Sequence, residues 1–108
     1  MEIKQYNDCG KWKVIALFGK IDTISAPEFG KHVNDMIAGG VTHIALDFSK
    51  VDYINSSGLS VLITAFKQNS GNIVIINPNR IVMQVFEMSS FTRIFKIFQK
   101  TEDILSIE

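Results

Sequence analysis

Three observations predict a small α/β domain, a mostly parallel mixed β-sheet flanked by helices. The chain has 108 residues, 46% apolar and 20% charged, which suffices for one hydrophobic core. Strand-like apolar runs occur at residues 11 to 18, 43 to 48 and 72 to 77. Amphipathic stretches with three- and four-residue apolar spacing alternate with them, and that order favours parallel pairing through helical crossovers. One domain is expected across residues 1 to 108.

Residues 2 to 7 and 11 to 18 read as a hairpin around Asp8-Cys9-Gly10, where Asp and Gly suit a tight turn. In its second strand Trp12, Val14, Ala16 and Phe18 share one face, and Lys13, Ile15 and Leu17 the other, which suits a central position. From 23 to 38, Ala26, Phe29, Val33, Met36 and Ile37 line one side of a helix. Thr23 or Ser25 is its expected cap, Pro27 fits its first turn, and Gly39-Gly40 ends it.

A short strand follows at 43 to 48, and Ile73-Val74-Ile75-Ile76 form an unbroken strand to be buried on both faces. Between them, residues 56 to 70 carry Leu59, Leu62, Ile63 and Phe66 on one helical face, with Gly71 as the stop. A third helix follows Pro78-Asn79 with Ile81, Val82, Val85 and Phe86 inward, and Ser89-Ser90 closes it. Residues 91 to 98 offer a short edge segment, and Thr101 opens a terminal helical turn.

Composition removes several functions. Eleven basic residues balance eleven acidic ones, so no global field draws the chain to nucleic acid or anionic lipid. One cysteine and two histidines do not supply a zinc site unaided, and His32 and His43 lack neighbours at ligand spacing, so no metal and no cofactor is expected. The first nineteen residues have no secretory-signal pattern, and no apolar run approaches the roughly twenty residues of a membrane span. A cytoplasmic protein without membrane insertion is expected.

Neither a phosphate-binding glycine loop nor a Gly-x-Ser-x-Gly elbow occurs, and a nucleophile at Ser56 would need a base, for which His43 is the nearest histidine in sequence. No catalytic residues are expected. Phe86, Phe91, Phe95 and Phe98, interleaved with Arg93, Lys96 and Lys100, complete a core rather than a membrane-surface amphipath. Met83 and Met88 read as core gap-fillers, and Cys9 as an exposed, unpaired thiol.

In parallel sheets, sites gather where a strand's carboxyl end enters a helix, here at residues 52 to 58. Asp52-Tyr53-Ile54-Asn55-Ser56-Ser57-Gly58 concentrates capping and small residues in one turn. Asn55 or Ser56 can cap the helix, and free N–H groups with the helix dipole make an anion site beside the Ser56 and Ser57 hydroxyls. Gly58 permits close approach of a partner or a neighbouring backbone.

Gly19-Lys20-Ile21-Asp22, Ile44-Ala45-Leu46-Asp47-Phe48-Ser49 and Val51 through Leu59 together resemble the STAS domain of bacterial anti-sigma factor antagonists. The resemblance implies a small sheet flanked by helices and a phosphorylated serine at Ser56, with Ser57 as runner-up. It implies that the unphosphorylated protein binds an anti-sigma factor serine kinase and frees the sigma factor, while a protein phosphatase restores the antagonist. The partner surface would include Asp22, Asn55, Ser56, Ser57 and Gly58. Two positions depart from the family pattern: Lys20 replaces a glutamate, and Asn55 replaces the aspartate before the acceptor serine. Because STAS domains also serve as accessory subunits of transporters or signalling complexes, docking without phosphorylation is the alternative function.

Overall fold

The computed structural model describes residues 1–6 and 8–107. Its elements run β1 (Glu2–Gln5), β2 (Lys13–Ile21), α1 (Ala26–Ala38), β3 (Ile44–Ile54), α2 (Ser56–Gln68), β4 (Ile73–Ile76), α3 (Arg80–Met88) and β5 (Ile97–Phe98). Two 3₁₀ segments, Phe91–Arg93 and Thr101–Ile107, flank β5. The sheet order is β1-β2-β3-β4-β5, with β1 antiparallel to β2 and every other pair parallel. This is the mostly parallel mixed sheet that the alternation of strand and helix predicts.

Side-chain alternation divides the core between the two faces. Ile15, Leu17, Ile44, Leu46, Ile73 and Ile75 point to the face where Phe29 and Val33 of α1, Leu62 and Ala65 of α2, and Val82 and Phe86 of α3 pack. Trp12, Val14, Ala45, Val74 and Ile76 point to the other face, which Ile104 of the C-terminal 3₁₀ segment covers. The β4 run is therefore buried on both sides, as its unbroken apolar character predicts.

The structure lengthens the predicted β3 from Phe48 to Ile54, for a reason visible in its register. Ala16 and Phe18 of β2 face Asp47 and Lys50, and Gly19 and Lys20 face Val51 and Tyr53, so β3 carries an extra residue at each step. These two bulges put Phe48, Val51 and Ile54, three residues apart, into the same core. A period of three hides the strand from a search for alternation. Gly19, at the second bulge, has φ +95, a conformation that disfavours a side chain.

Several other expectations change. The first strand ends at Gln5, with Asn7 of the expected range outside the described residues, and the second extends on to Ile21. The α1 helix begins at Ala26, because residues 22 to 25 form a separate hydrogen-bonded turn, and neither Thr23 nor Ser25 caps it with a side chain. Ile81 and Met88, expected in the core, are 59% and 88% exposed. Both lie on the outer side of α3, whose inward contacts come from Val82 and Phe86. Cys9 is half-buried, not exposed, and its thiol points to the Thr101 carbonyl at 3.8 Å.

Phe86, Phe91 and Phe95 are buried in the core as expected, whereas Phe98 is half-buried against the smaller cluster. Phe48, Phe86, Phe91, Phe95 and Phe66 make a chain of ring contacts with centroids 4.8–5.9 Å apart. Among the described residues, no helix is long and apolar enough to cross a membrane.

Candidate functional site

The two bulges deliver Ile54 to the core and stop β3 one residue short of α2, so Asn55 alone makes the connection. Asn55 has extended backbone and is the N-cap: its Oδ1 accepts from the Ser57 N–H at 3.0 Å and the Gly58 N–H at 3.4 Å. Its own N–H donates to the Ile21 carbonyl at 3.1 Å, which ties the cap to the end of β2. Of the two capping residues that the sequence offers, Asn55 takes the role. The expected array of free N–H donors is correspondingly reduced, because the Asn55 carboxamide already occupies two of them.

That arrangement separates the two serines. Ser56 is the first residue of α2 and is exposed, and its hydroxyl has no hydrogen-bond partner among the described residues. Ser57 is half-buried, and its Oγ lies 3.2 Å from Thr23 Oγ1. The Ser56 hydroxyl stands at the positive end of the helix dipole, and no acidic residue occupies the first turn of α2.

Gly58 is required by packing. A Cβ there would lie 2.7 Å from both Ile21 Cγ2 and Ile54 Cγ1 and 3.1 Å from the Ile21 carbonyl. The close approach foreseen for Gly58 is that of the neighbouring strand ends.

Asp22 folds the second loop of the site. One of its carboxylate oxygens accepts from the N–H groups of Ile24 and Ser25, each at 3.0 Å. Ser25, itself buried, also donates to the Lys20 carbonyl at 2.7 Å. These bonds hold the Asp22 carboxyl below its ordinary pKa; the Ser25 N–H contributes most, partial burial opposes it, and the Ile24 N–H adds to the lowering. The turn presents Thr23 to Ser57 and leaves Ile24 90% exposed.

The site is thus Asp22 to Ser25 together with Asn55 to Gly58, joined through Ile21 and the Thr23–Ser57 contact. Sequence reasoning missed the exposed Ile24 and the pairing of Thr23 with Ser57. An isoleucine between two hydroxyl residues in a polar turn was the available signal for the first; residues 34 positions apart leave none for the second. A groove between α1 and α2, lined by Thr23, Pro27, Ser57 and Val61, opens beside the same turn.

Two sequence candidates lie elsewhere. His43 precedes β3, at the opposite end of that strand from Asn55, and stacks edge-on against Trp12 with ring centroids 5.1 Å apart. It is not placed to serve Ser56 as a base. His32 is half-buried on α1, and no group of three His, Cys, Asp or Glu able to hold a metal occurs among the described residues.

The five-stranded, mostly parallel sheet, with β3 entering α2 through a capped serine turn, is an arrangement shared with a known family. The STAS domain family model matches residues 1–104, and the chain belongs to that family. BtrV of Bordetella bronchiseptica, named as an anti-sigma factor antagonist, is 28% identical over 92 residues, covering 82% of this chain and 79% of BtrV. Among solved structures, an anti-sigma factor antagonist of Thermotoga maritima, TM1081, superposes with a TM-score of 0.86 at 24% identity, covering 94% of this chain and 90% of that one. The Bacillus cell fate determinant SpoIIAA in its phosphorylated form gives 0.72 at 20% identity, covering 99% and 100% of the two chains.

Proposed function

We propose that this protein is an anti-sigma factor antagonist that binds an anti-sigma factor serine kinase and is switched off by phosphorylation of Ser56. The observation that carries the proposal is the contrast between adjacent hydroxyls: Ser56 is exposed and unengaged, whereas Ser57 is half-buried against Thr23. The names of the relatives, BtrV among them, support the antagonist role.

In the proposed cycle the unphosphorylated chain docks the kinase through Asp22, Asn55, Ser56, Ser57 and Gly58, and the sigma factor is released. Ile24, 90% exposed, and Tyr53, 41% exposed, flank this polar turn and supply apolar contact area. The Ser56 oxygen attacks the terminal phosphorus of ATP held by the kinase, ADP leaves, and the hydroxyl proton passes to a base of the kinase. Asn55 has no carboxylate to act in that step, and by the same token puts no negative charge beside the product phosphate. A phosphatase then hydrolyses the phosphoserine.

The switch acts at the interface. A phosphate at the N-terminus of α2 gains only about 0.3–2 kcal/mol from the dipole, whereas reversing a two-state equilibrium takes about 5.5 kcal/mol. Placing that charge in a packed interface costs on the order of several kcal/mol through desolvation and like-charge repulsion. The free domain therefore keeps its shape while its affinity falls.

The test incubates the protein with ATP and the anti-sigma factor serine kinases of the same genome, followed by intact-mass and peptide mapping. One phosphate on Ser56 is expected, retained in Ser57→Ala and absent in Ser56→Ala, with kinase affinity lowered at least about tenfold in Ser56→Asp. Equal affinity of wild type and Ser56→Asp would overturn the switch. Asn55, in place of the family's aspartate, favours one second reading, a STAS accessory subunit that docks a transporter or signalling complex without phosphorylation. Stable capture of such a partner with Ser56 unmodified would establish it.

A further inference from the structure

The sheet has an open edge at β1, which pairs with β2 on one side and, among the described residues, with no strand on the other. The Tyr6 N–H donates to the Val14 carbonyl, and this fixes the phase of the antiparallel ladder. Glu2 and Lys4 turn their main-chain groups to β2, whereas Ile3 and Gln5 turn theirs outward. Among the described residues no other strand or turn engages those outward groups. An unpaired edge of this kind is a template for another strand.

The side chains specify which strand fits. Glu2 and Lys4 share one face of β1, are each more than half exposed, and meet within the strand at 3.3 Å. Ile3 lies on the opposite face, half-buried against the large core. An antiparallel strand of the same sequence, centred on Ile3, sets Glu2 against Lys4 of the second copy, Lys4 against its Glu2, and Ile3 against its Ile3. The two Ile3 residues then exchange both outward main-chain bonds, and the charges fall at the non-hydrogen-bonded pairs, where side chains approach most closely. A shift by two residues sets Lys4 against Lys4 in one direction and Glu2 against Glu2 in the other. A shift by one residue opposes outward main-chain groups to inward ones. The pattern is self-complementary in one alignment alone.

We propose that the β1 edge is a homodimer contact, in which two copies of this chain pair β1 with β1 about a two-fold axis through Ile3 and join their sheets into one. Four residues of edge bury little area, so the association is of the weak kind, with a Kd of about 1 μM to 1 mM. The contact shares no residue with the Asp22–Ser25 and Asn55–Gly58 turns, and it stands or falls separately from phosphorylation of Ser56.

Sedimentation velocity of the untagged chain, from about 10 μM to 1 mM in low salt, tests the proposal. A monomer–dimer equilibrium is expected, weakened about tenfold or more in Glu2→Lys and in Lys4→Glu, because each reversal turns both cross-strand pairs repulsive. The double variant, Glu2→Lys with Lys4→Glu, restores the dimer, and an equimolar mixture of the two single variants forms a mixed dimer tighter than either forms alone. This recovery separates the contact from the Lys4 ammonium over the Phe18 ring, which Lys4→Glu and the double variant both lose. Ile3→Pro removes an outward N–H while leaving the β1–β2 ladder its bonds, and should abolish the dimer. Glu2 and Lys4 are exposed, so their variants keep the test decisive if Ile3→Pro does not fold. A monomer throughout the concentration range would overturn the proposal. So would a dimer indifferent to the single reversals, or one that the double variant does not recover.

Discussion

Asn55, where the STAS pattern usually has an aspartate, caps α2 through Oδ1 and holds the end of β2 through its backbone N–H. The adjoining Gly58 leaves no space for a larger residue. In Gly58→Ala the new methyl meets Ile21 and Ile54, both fully buried, so neither can yield. A destabilisation of about 1–3 kcal/mol is expected, read as a lower urea midpoint with an unchanged m-value. Asp22 adds a pH dependence. Its folded pKa lies below the ordinary 3.8, so its carboxylate contributes stability in full above that value and loses it as pH falls through the lower folded pKa. Asp22→Asn removes this titration. The stability gap between wild type and variant should therefore be constant above about pH 5 and shrink in acid, which thermal melts across pH will show.

At the scale of elements, β3 organises the site because its bulges shift the register twice while the strand stays paired with β2. Asn79 secures this irregular strand from the side. Its Oδ1 accepts from the Val82 N–H at 2.8 Å to cap α3, and its Nδ2 donates to the Val51 carbonyl at 3.0 Å, between the bulges. One side chain thus anchors the start of α3 to the segment that positions Asn55. Asn79→Ala loses both bonds and should cost about 1–3 kcal/mol by chemical denaturation. Asn79→Asp keeps the cap acceptor but loses the donor, and should fall between the two.

Across the whole molecule, the sheet separates a large core under three helices from a small one under the C-terminal 3₁₀ segment. The small core depends heavily on Ile104, which is fully buried against Trp12, Val14, Ala45, Val74 and Ile76. Ile104→Ala is expected to lower stability by about 2–5 kcal/mol. Because the Asn55–Gly58 turn packs on the other core through Ile21 and Ile54, its amide resonances should stay in place while the melting temperature drops.

The sequence by itself determined the features that depend on neighbours a few residues apart. The unbroken Ile73–Ile76 run required burial on both faces, the apolar spacing of α2 required a helix there, and Asn55-Ser56-Ser57-Gly58 carried its capping chemistry openly. Only the tertiary structure decided the rest. The bulges of β3 exist because β2 sets a register that β3 must match with extra residues, and Ile81 and Met88 are exposed because one side of α3 alone meets the sheet. Ser56 and Ser57 are equivalent in sequence until Thr23, 34 residues away from Ser57, engages one of them.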